Sequence, residues 1–431
     1  MRGSCLMAGG AWFCCLAGIG RGAEAPAGAP LLAFPGAEGF GARATGGRGG
    51  EIYHVTKLDD AGPGSFRDAV SKGKRVVIFE VGGIIRLKSD VTVASDLTLA
   101  GQSAPGQGIA LYGHSVSFNG ASNVVVRYLR FRSGINGNRG EPAVIVEGGR
   151  NLIFDHASIQ WGRWDCLGLT EGSRAITVQY CLIGDGLDPQ HFGGLVDSVL
   201  EVTLSHNLWI NNQSRNPKCK GTIQYINNVV YNWGEMGLVG GHSGDEHNLD
   251  VIGNYFIKGP SSSDHFLSQF TGTDNVFQKG NLADLNCDGQ LNGRAVVEAD
   301  FDDSKAHPTF AKAEFLHPPV PVAVEEAEAA CKKVLAGAGC SLRRDAVDMR
   351  LIGEATSLGR KGQIVRDEDA AGGIGKLDGG KPPVSSAGDG LPDAWKTAHG
   401  LDLKAPDVAN GDYNHDGFTN LEKYLNELAG H

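Results

Sequence analysis

The sequence predicts an all-β protein, a right-handed parallel β-helix with a short N-terminal capping helix and a small C-terminal module. Three observations predict this fold: short segments of alternating polarity recur along the chain, glycine is abundant, and asparagine recurs at one position of the repeat. Glycine accounts for 64 of the 431 residues, and prolines number only 17. Many glycines among β-branched residues favour short strands joined by tight turns. The apolar fraction of 41% supplies a sizeable core and excludes wholesale disorder.

Seven segments align without internal gaps, and their starts are 21 to 28 residues apart. Each begins with an aliphatic residue and then alternates between apolar and polar or small positions, which indicates a strand with one face inward. The spacing leaves room for two more short strands before the next copy, so the copies stack as turns of a coil. A β-propeller needs a period of about 40 residues, and a sandwich needs turns every 8–12 or so. The seven first positions are Val124, Leu152, Ile176, Val202, Ile223, Leu249 and Val276.

Asparagine occupies the sixth position of four successive repeats, namely Asn207, Asn228, Asn254 and Asn281. Stacked amides satisfy one another and the backbone at a sharp bend, so this column predicts an asparagine ladder.

A helix ahead of the repeats is expected to cover the open end of the coil. In "GPGSFRDAVSKGK" Ser65 is the expected N-cap, with Asp68 near the positive end of the helix. Such a cap protects unpaired strand edges.

Composition shifts divide the chain into four parts. The N-terminus has Arg2, an apolar run over 7–19 and then small residues, which is typical of a secretory signal peptide. That run is too short for a membrane span, so a secreted protein, extracellular or periplasmic, is expected. The predicted parts are a signal peptide and linker over 1–29, the β-helix over 30–300, an irregular and helical extension with a linker over 301–385, and the C-terminal module over 386–431.

The charge distribution points to an acidic ligand held locally. The formal net charge of −10 disfavours nucleic acid as a partner. Against this background Arg215, Lys218 and Lys220 place three cations within six residues. On a rigid coil such a cluster suits the carboxylates of an acidic sugar, and the alternative is a solvated basic loop.

The C-terminal module contains an acidic loop, "DYNHDGFTNLE", with oxygen-bearing residues at alternating positions. Gly417 supplies a sharp turn, and the whole predicts an EF-hand-like or thrombospondin-type-3-like Ca²⁺ site. Lys423 stands where an EF-hand has its twelfth-position glutamate. Chelation is therefore expected to loosen this module and leave the coil intact. The predicted ligands are Asp412, Asn414, Asp416, the Phe418 carbonyl and Glu422.

Several motifs occur in the order seen in pectate lyases of polysaccharide lyase family 1, which the chain resembles over about residues 33–285 and in its tail. They include "FPGAEGFGARATGGRGG", "AGQSAPGQGIAL", "LIFDHASIQWGRWD", "SRNPK" and "NNVVYNWG". The chain looks most similar to the bacterial secreted branch. The resemblance implies a right-handed parallel β-helix that cleaves pectate by β-elimination with Ca²⁺ as cofactor.

The resemblance also implies roles for individual residues. The family's proton-abstracting arginine falls on Arg215, and its substrate-binding cations fall on Lys218 and Lys220. Asp185 and His191 match further substrate-binding positions.

The catalytic Ca²⁺ site matches less completely. Asp165 and Glu141 are the expected metal ligands, whereas Pro142, Trp164 and Gly168 stand where the family has aspartates.

Two other functions remain open from the residues. A β-helical glycoside hydrolase would need a pair of carboxylates, for which Asp165, Asp185 and Asp188 are candidates. A non-catalytic polysaccharide-binding β-helix would need the cations alone. The expected partner is an acidic plant cell-wall polysaccharide, pectate, and the chain is expected to act as a monomer.

Overall fold

The structure is a computed structural model that describes residues 30–241, 243–301, 307–405 and 407–431. Residues 32–431 form one compact unit. Its strands form a sheet of 17 and a sheet of 10, and apart from one antiparallel pair the pairings are parallel. The predicted right-handed parallel β-helix is confirmed. The predicted signal peptide lies outside the described residues.

The strands are short, as the repeat length requires. The first thirteen are β1 Glu51–Val55, β2 Arg75–Phe79, β3 Gly83–Arg86, β4 Val91–Thr92, β5 Leu97–Ala100, β6 Ile109–Tyr112, β7 Val116–Ser117, β8 Ser122–Arg127, β9 Arg130–Arg132, β10 Val144–Glu147, β11 Arg150–Asp155, β12 Ser158–Gln160 and β13 Asp165–Thr170. The remainder are β14 Arg174–Gln179, β15 Leu182–Gly184, β16 Phe192–Ser205, β17 Leu208–Ile210, β18 Lys218–Ile226, β19 Val229–Tyr231, β20 Leu238–Val239, β21 His247–Ile252, β22 Tyr255–Ile257, β23 Leu267–Ser268, β24 Asp274–Lys279, β25 Leu282–Asp284, β26 Arg294–Ala295 and β27 Thr309–Phe310.

The described helices are few and lie mostly beyond the repeats. The α-helices are α1 Phe66–Val70, α2 Ala327–Gly337, α3 Ala346–Ala355, α4 Asp393–Ala398 and α5 Asn420–Leu428. Short 3₁₀ turns cover Gly101–Ser103, Glu298–Phe301, Ser341–Arg343 and Asp369–Ala371. No helix in these described ranges is long and apolar enough to cross a membrane.

Strand pairing reproduces the repeat register. The seven aliphatic first positions are successive Cα partners from β8 through to β24. The 14-residue strand β16 pairs with β13 through its first half and with β14 through its second, which joins two rows of strands into one bent sheet. Apolar residues from every turn fill the interior of the coil in one continuous cluster.

The asparagine ladder is present and buried. The backbone N–H and side-chain amide of Asn207 each donate to Asn228 Oδ1 at 3.0 Å. Asn228 donates in the same way to Asn254 Oδ1, at 2.8 and 3.1 Å, and Asn254 donates to Asn281 Oδ1. Each amide therefore ties one turn of the coil to the next.

Asn228→Leu is expected to lower the free energy of unfolding by about 1–3 kcal/mol, because two donors on Asn207 lose their buried acceptor. Equilibrium denaturation measures this loss. An unchanged unfolding midpoint would show that the ladder does not stabilise the coil.

The N-terminal cap forms as predicted. The Ser65 hydroxyl accepts a hydrogen bond from the Asp68 backbone N–H at 3.2 Å. Phe66, Ala69 and Val70 on α1 are buried in the interior cluster. The helix thus closes the first turn of the coil with apolar side chains.

The extension after the coil packs against the ten-stranded sheet. Helices α2 and α3 bury apolar side chains, among them Val334 and Leu351, on a second cluster formed by the outward residues of that sheet. Beneath them Arg132 Nη1 lies 2.5 Å from Asp345 Oδ2, and Arg132 Nη2 lies 3.1 Å from Asp348 Oδ1. Both helices are therefore anchored to the coil.

The C-terminal module packs against the start of the same unit. Leu391, Trp395 and Leu421 bury apolar surface against Val76 and Ile78 of β2. Residues 386–431 are thus part of the compact unit and cover the first strands of the coil.

Candidate active-site cleft

A cavity of about 570 Å³ lies along the outward face of the 17-stranded sheet. Strand register determines its floor, because Ser117, Ile145, Gly168 and Leu195 stand side by side on β7, β10, β13 and β16. The same row continues into Lys218 at the start of β18. A second row, two residues further along the strands, includes Glu147 on β10 and the paired Asp197 and Lys220.

The three predicted cations are brought together at this end of the sheet. Arg215 Nη1 lies 3.1 Å from Asp165 Oδ2, and its guanidinium stands 4.0 Å above the centre of the Phe192 ring. Lys220 Nζ lies 2.9 Å from Asp197 Oδ2. The aromatic stack and the ion pair hold the guanidinium in a fixed plane.

Lys218 differs from its two neighbours in having no carboxylate within ion-pair distance among the described residues. Its Nζ donates to Gln269 Oε1 at 3.1 Å, and the residue is 9% exposed. Burial, followed by the nearby charges of Lys220 and Arg215, lowers the pKa of Lys218 to about 8. Its ammonium is thus the one cation of the cluster without a counter-charge already in place.

The predicted calcium ligands of the cleft do not form a ready-made site. Asp165 and Glu141 both line the cavity. Burial raises the pKa of Asp165 to about 6 even though the Arg215 guanidinium opposes that shift, and its carboxylate is already paired with Arg215. Glu141 Oε2 accepts from Asn138 at 3.1 Å. Throughout the described part of the chain, no three His, Cys, Asp or Glu side chains converge as metal ligands would.

Asp185 and His191, the other predicted substrate contacts, lie apart from the cavity lining. The Asp185 carboxylate is fully buried, accepts from Asn211 at 3.1 Å and pairs with Arg350 of α3. His191 Nδ1 faces the carbonyl oxygens of Gly186 and Val365 at 3.1 and 2.9 Å. These contacts tie the cleft's edge to the extension, and direct contact with substrate stays a prediction that the geometry does not favour.

The acidic loop of the C-terminal module holds a lysine where the sequence predicts Ca²⁺. Lys423 Nζ lies 2.5 Å from Asp412 Oδ1, 3.0 Å from Asp416 Oδ1 and 2.5 Å from the Phe418 carbonyl oxygen. The ammonium therefore engages three of the five predicted donors, and Lys423 is itself buried. The donor set does not fit a bound Ca²⁺ while this cation is present.

The two remaining predicted ligands are also engaged elsewhere. The Asn414 amide donates to Asp416 Oδ2 at 3.0 Å. Glu422 accepts from the Thr419 backbone N–H at 2.8 Å, in a capping box at the start of α5, and pairs with Arg48 at 2.7 Å. The calcium-module prediction is not confirmed, because the loop supplies its own cation.

Lys423→Met is expected to lower the free energy of unfolding by about 1–3 kcal/mol, because two carboxylates and a carbonyl lose their shared cation. Added Ca²⁺ is expected to restore part of this loss in the variant. Thermal unfolding in chelator and in Ca²⁺ measures both effects, with Lys404→Met at an exposed position as the control. If the wild type gains stability from Ca²⁺ and Lys423→Met does not, the lysine is not the substitute cation.

Sequence reasoning missed four residues that complete the site: Phe192, Asp197, Gln269 and Trp164 as a lining side chain. Each contacts its partner across neighbouring turns of the coil. Since turns vary between 21 and 28 residues, only the strand register brings these residues together.

Comparison with known proteins agrees with the geometry. The chain is 42% identical over 405 residues to a probable pectate lyase C from Aspergillus terreus, covering 93% of this chain and 94% of that protein. It is 41% identical over 409 residues to a probable pectate lyase C from Emericella nidulans, with 93% of each chain covered. No protein-family model matches the chain.

Solved structures share the fold at low sequence identity. A pectate lyase bound to a hexasaccharide aligns with a TM-score of 0.53 at 14% identity, over 73% of this chain and 99% of that one. A thermostable pectate lyase aligns with a TM-score of 0.52, also at 14% identity and with the same coverage.

The parallel β-helix and these relatives define a lyase. More narrowly, the chain belongs to the pectate lyase family. The resemblance to a bacterial branch is not confirmed, since both relatives described above are fungal. The hydrolase alternative loses support, because Asp165 and Asp185 are each paired with an arginine.

Proposed function

We propose that this chain is a secreted lyase that cleaves polygalacturonate, or a related uronate polymer, by β-elimination. Arg215 is the proton-abstracting group, and Lys218 and Lys220 hold substrate carboxylates. The observation that carries the proposal is the meeting of these three cations at one end of a long open cleft.

The chemistry requires a proton to leave C5 of a uronate ring. The C5–H bond breaks, its electron pair forms the C4–C5 double bond, the C4–O4 bond breaks, and O4 leaves with a proton. Cations beside the C6 carboxylate stabilise the negative charge that develops next to C5. Lys218 suits this role because its ammonium has no carboxylate of its own within ion-pair distance in the described structure.

Arg215 suits the base position because its guanidinium is held in one plane. Asp165 anchors one edge through two contacts, at 3.1 and 3.3 Å, and Phe192 supports one face. The opposite face and the second terminal nitrogen are left for substrate. Asp165 thereby acts as a positioning residue in this proposal.

Ca²⁺ stays in the proposal as the cofactor that the family resemblance implies, and pectate as the partner. Glu141 lines the cleft, but the protein carboxylates do not preassemble a site, so no step is assigned to the ion. Secretion rests on the N-terminal sequence, and action as a monomer remains part of the proposal.

The KM for polygalacturonate is expected to rise as the pH is raised through about 8, because Lys218 with its lowered pKa loses its charge there. Below that pH the ammonium is present and binds the carboxylate. Lys218→Arg, which keeps its charge, is expected to flatten this dependence. Steady-state kinetics between pH 6.5 and 9.5 or so measures it. An unchanged KM profile in Lys218→Arg would remove Lys218 from carboxylate binding.

The proposal is tested by incubating the protein with polygalacturonate and following the ultraviolet absorbance of a 4,5-unsaturated product, with chelator and with Ca²⁺. Binding without product would favour the non-catalytic alternative.

A further inference from the structure

We infer that the cleft binds a methyl-esterified, uncharged uronate residue over an apolar strip beside the reacting sugar, so that the preferred substrate is a partly esterified polymer. The inference rests on the proposed function and specifies its substrate. The apolar strip consists of Pro142, Ile145, Trp164, Gly168 and Leu195, all of which line the cavity.

The strip leads directly to the cation cluster. Ile145, Gly168 and Leu195 are register neighbours on three successive strands, and Leu195 is the register neighbour of Lys218. A side chain added at Gly168 would stand 2.7 Å from Ile145 Cδ1, which shows that the isoleucine lies over the glycine. A polymer that runs across the strands therefore passes from apolar surface to cations within about 5 Å per strand.

Trp164 extends this apolar surface at the edge of the cleft. Its side chain is 37% exposed, among the larger exposed apolar side chains of the described residues. The indole meets Phe192 edge to face at 6.4 Å, and Phe192 carries the Arg215 guanidinium on its own ring. A sugar ring on the indole would thus lie next to the proposed base, and an exposed aromatic ring in a groove gains by covering an apolar sugar face.

The charges around the strip disfavour a second carboxylate there. The cavity lining contains Asp90, Glu141, Glu147 and Glu171, and no basic side chain of the described structure lines it. A free uronate over Ile145 would meet carboxylates of its own sign and no cation, whereas an ester has no charge to repel. Its ester methyl group also adds apolar surface that Ile145 and Leu195 can cover.

The test compares kcat/KM on polygalacturonate with kcat/KM on the same polymer methyl-esterified to about half, each in chelator and in Ca²⁺. In chelator the half-esterified polymer is expected to be preferred by about tenfold or more, the equivalent of 1.4 kcal/mol. Equal or greater kcat/KM on the fully charged polymer in chelator would overturn the inference. A preference for the charged polymer that requires Ca²⁺ would also overturn it, because the ion would then neutralise the acidic lining.

Ile145→Lys places a cation in the middle of the strip and is expected to shift the preference by about tenfold toward the charged polymer. Trp164→Ala is expected to raise the KM for the esterified polymer with little change in kcat. Leu200→Lys is the matched control, because Leu200 is 53% exposed on β16 outside the cavity lining. Unchanged preference in Ile145→Lys would count against the strip as the subsite.

A binding measurement separates this inference from the proposed function. Quenching of tryptophan fluorescence by half-esterified and by de-esterified oligomers needs no cleavage. Absence of any unsaturated product would sink the lyase proposal, whereas equal binding of the two oligomers by the wild type would sink the esterified subsite alone.

Discussion

Arg215→Lys is expected to lower kcat on polygalacturonate by about a hundredfold or more, or roughly 3 kcal/mol in the barrier. Lysine keeps the positive charge but loses the planar fork that Asp165 and Phe192 hold in place. Its single nitrogen would then lie elsewhere relative to C5. The KM is expected to change far less, because Lys218 and Lys220 still bind the carboxylates.

The matched control is Arg174→Lys, which makes the same exchange at an exposed position on β14. Steady-state kinetics on both variants separates the two possible roles of Arg215. A raised KM with nearly unchanged kcat would assign Arg215 to binding and remove it from proton abstraction.

Asp348→Ala is expected to lower the free energy of unfolding by about 3–5 kcal/mol, because it leaves buried donors without their charged partner. Asp348 is fully buried and accepts from Arg132 Nη2 at 3.1 Å, Ser158 Oγ at 2.7 Å and Gln160 Nε2 at 2.9 Å. Those three donors lie on β9 and β12 of the coil, whereas Asp348 lies on α3. The substitution therefore weakens both the network and the attachment of the extension.

Urea denaturation followed by circular dichroism measures this effect, with Asp378→Ala in the exposed part of the extension as the control. Equal unfolding free energies for Asp348→Ala and Asp378→Ala would show that the buried network does not hold the extension.

The coil could be predicted from the sequence because its signal is local and repeated. The aliphatic first position of each segment fixes the strand face, and the structure pairs Val124 with Leu152, and Leu152 with Ile176, in the predicted order. The asparagine ladder followed from the same register. The cation cluster was visible as well, since its members are close along the chain.

The contacts of the extension and of the C-terminal loop could not be predicted in the same way. Arg132 and Asp345 are 213 residues apart, so neither residue reveals the other as its partner. The loop around Asp412 has the alternating oxygens of a calcium site, and only the position of the Lys423 side chain shows that a lysine fills it. Likewise, Asp165 has the composition of a metal ligand but lies against Arg215.

The most direct test of the central claim is the ultraviolet absorbance of products formed from uronate polymer by the wild type and by Arg215→Lys at equal concentration. β-Elimination at this cleft predicts a steady rise from a 4,5-unsaturated sugar with the wild type and a rise slower by about a hundredfold with the variant. New reducing ends that appear without that absorbance would show hydrolysis and would contradict the claim.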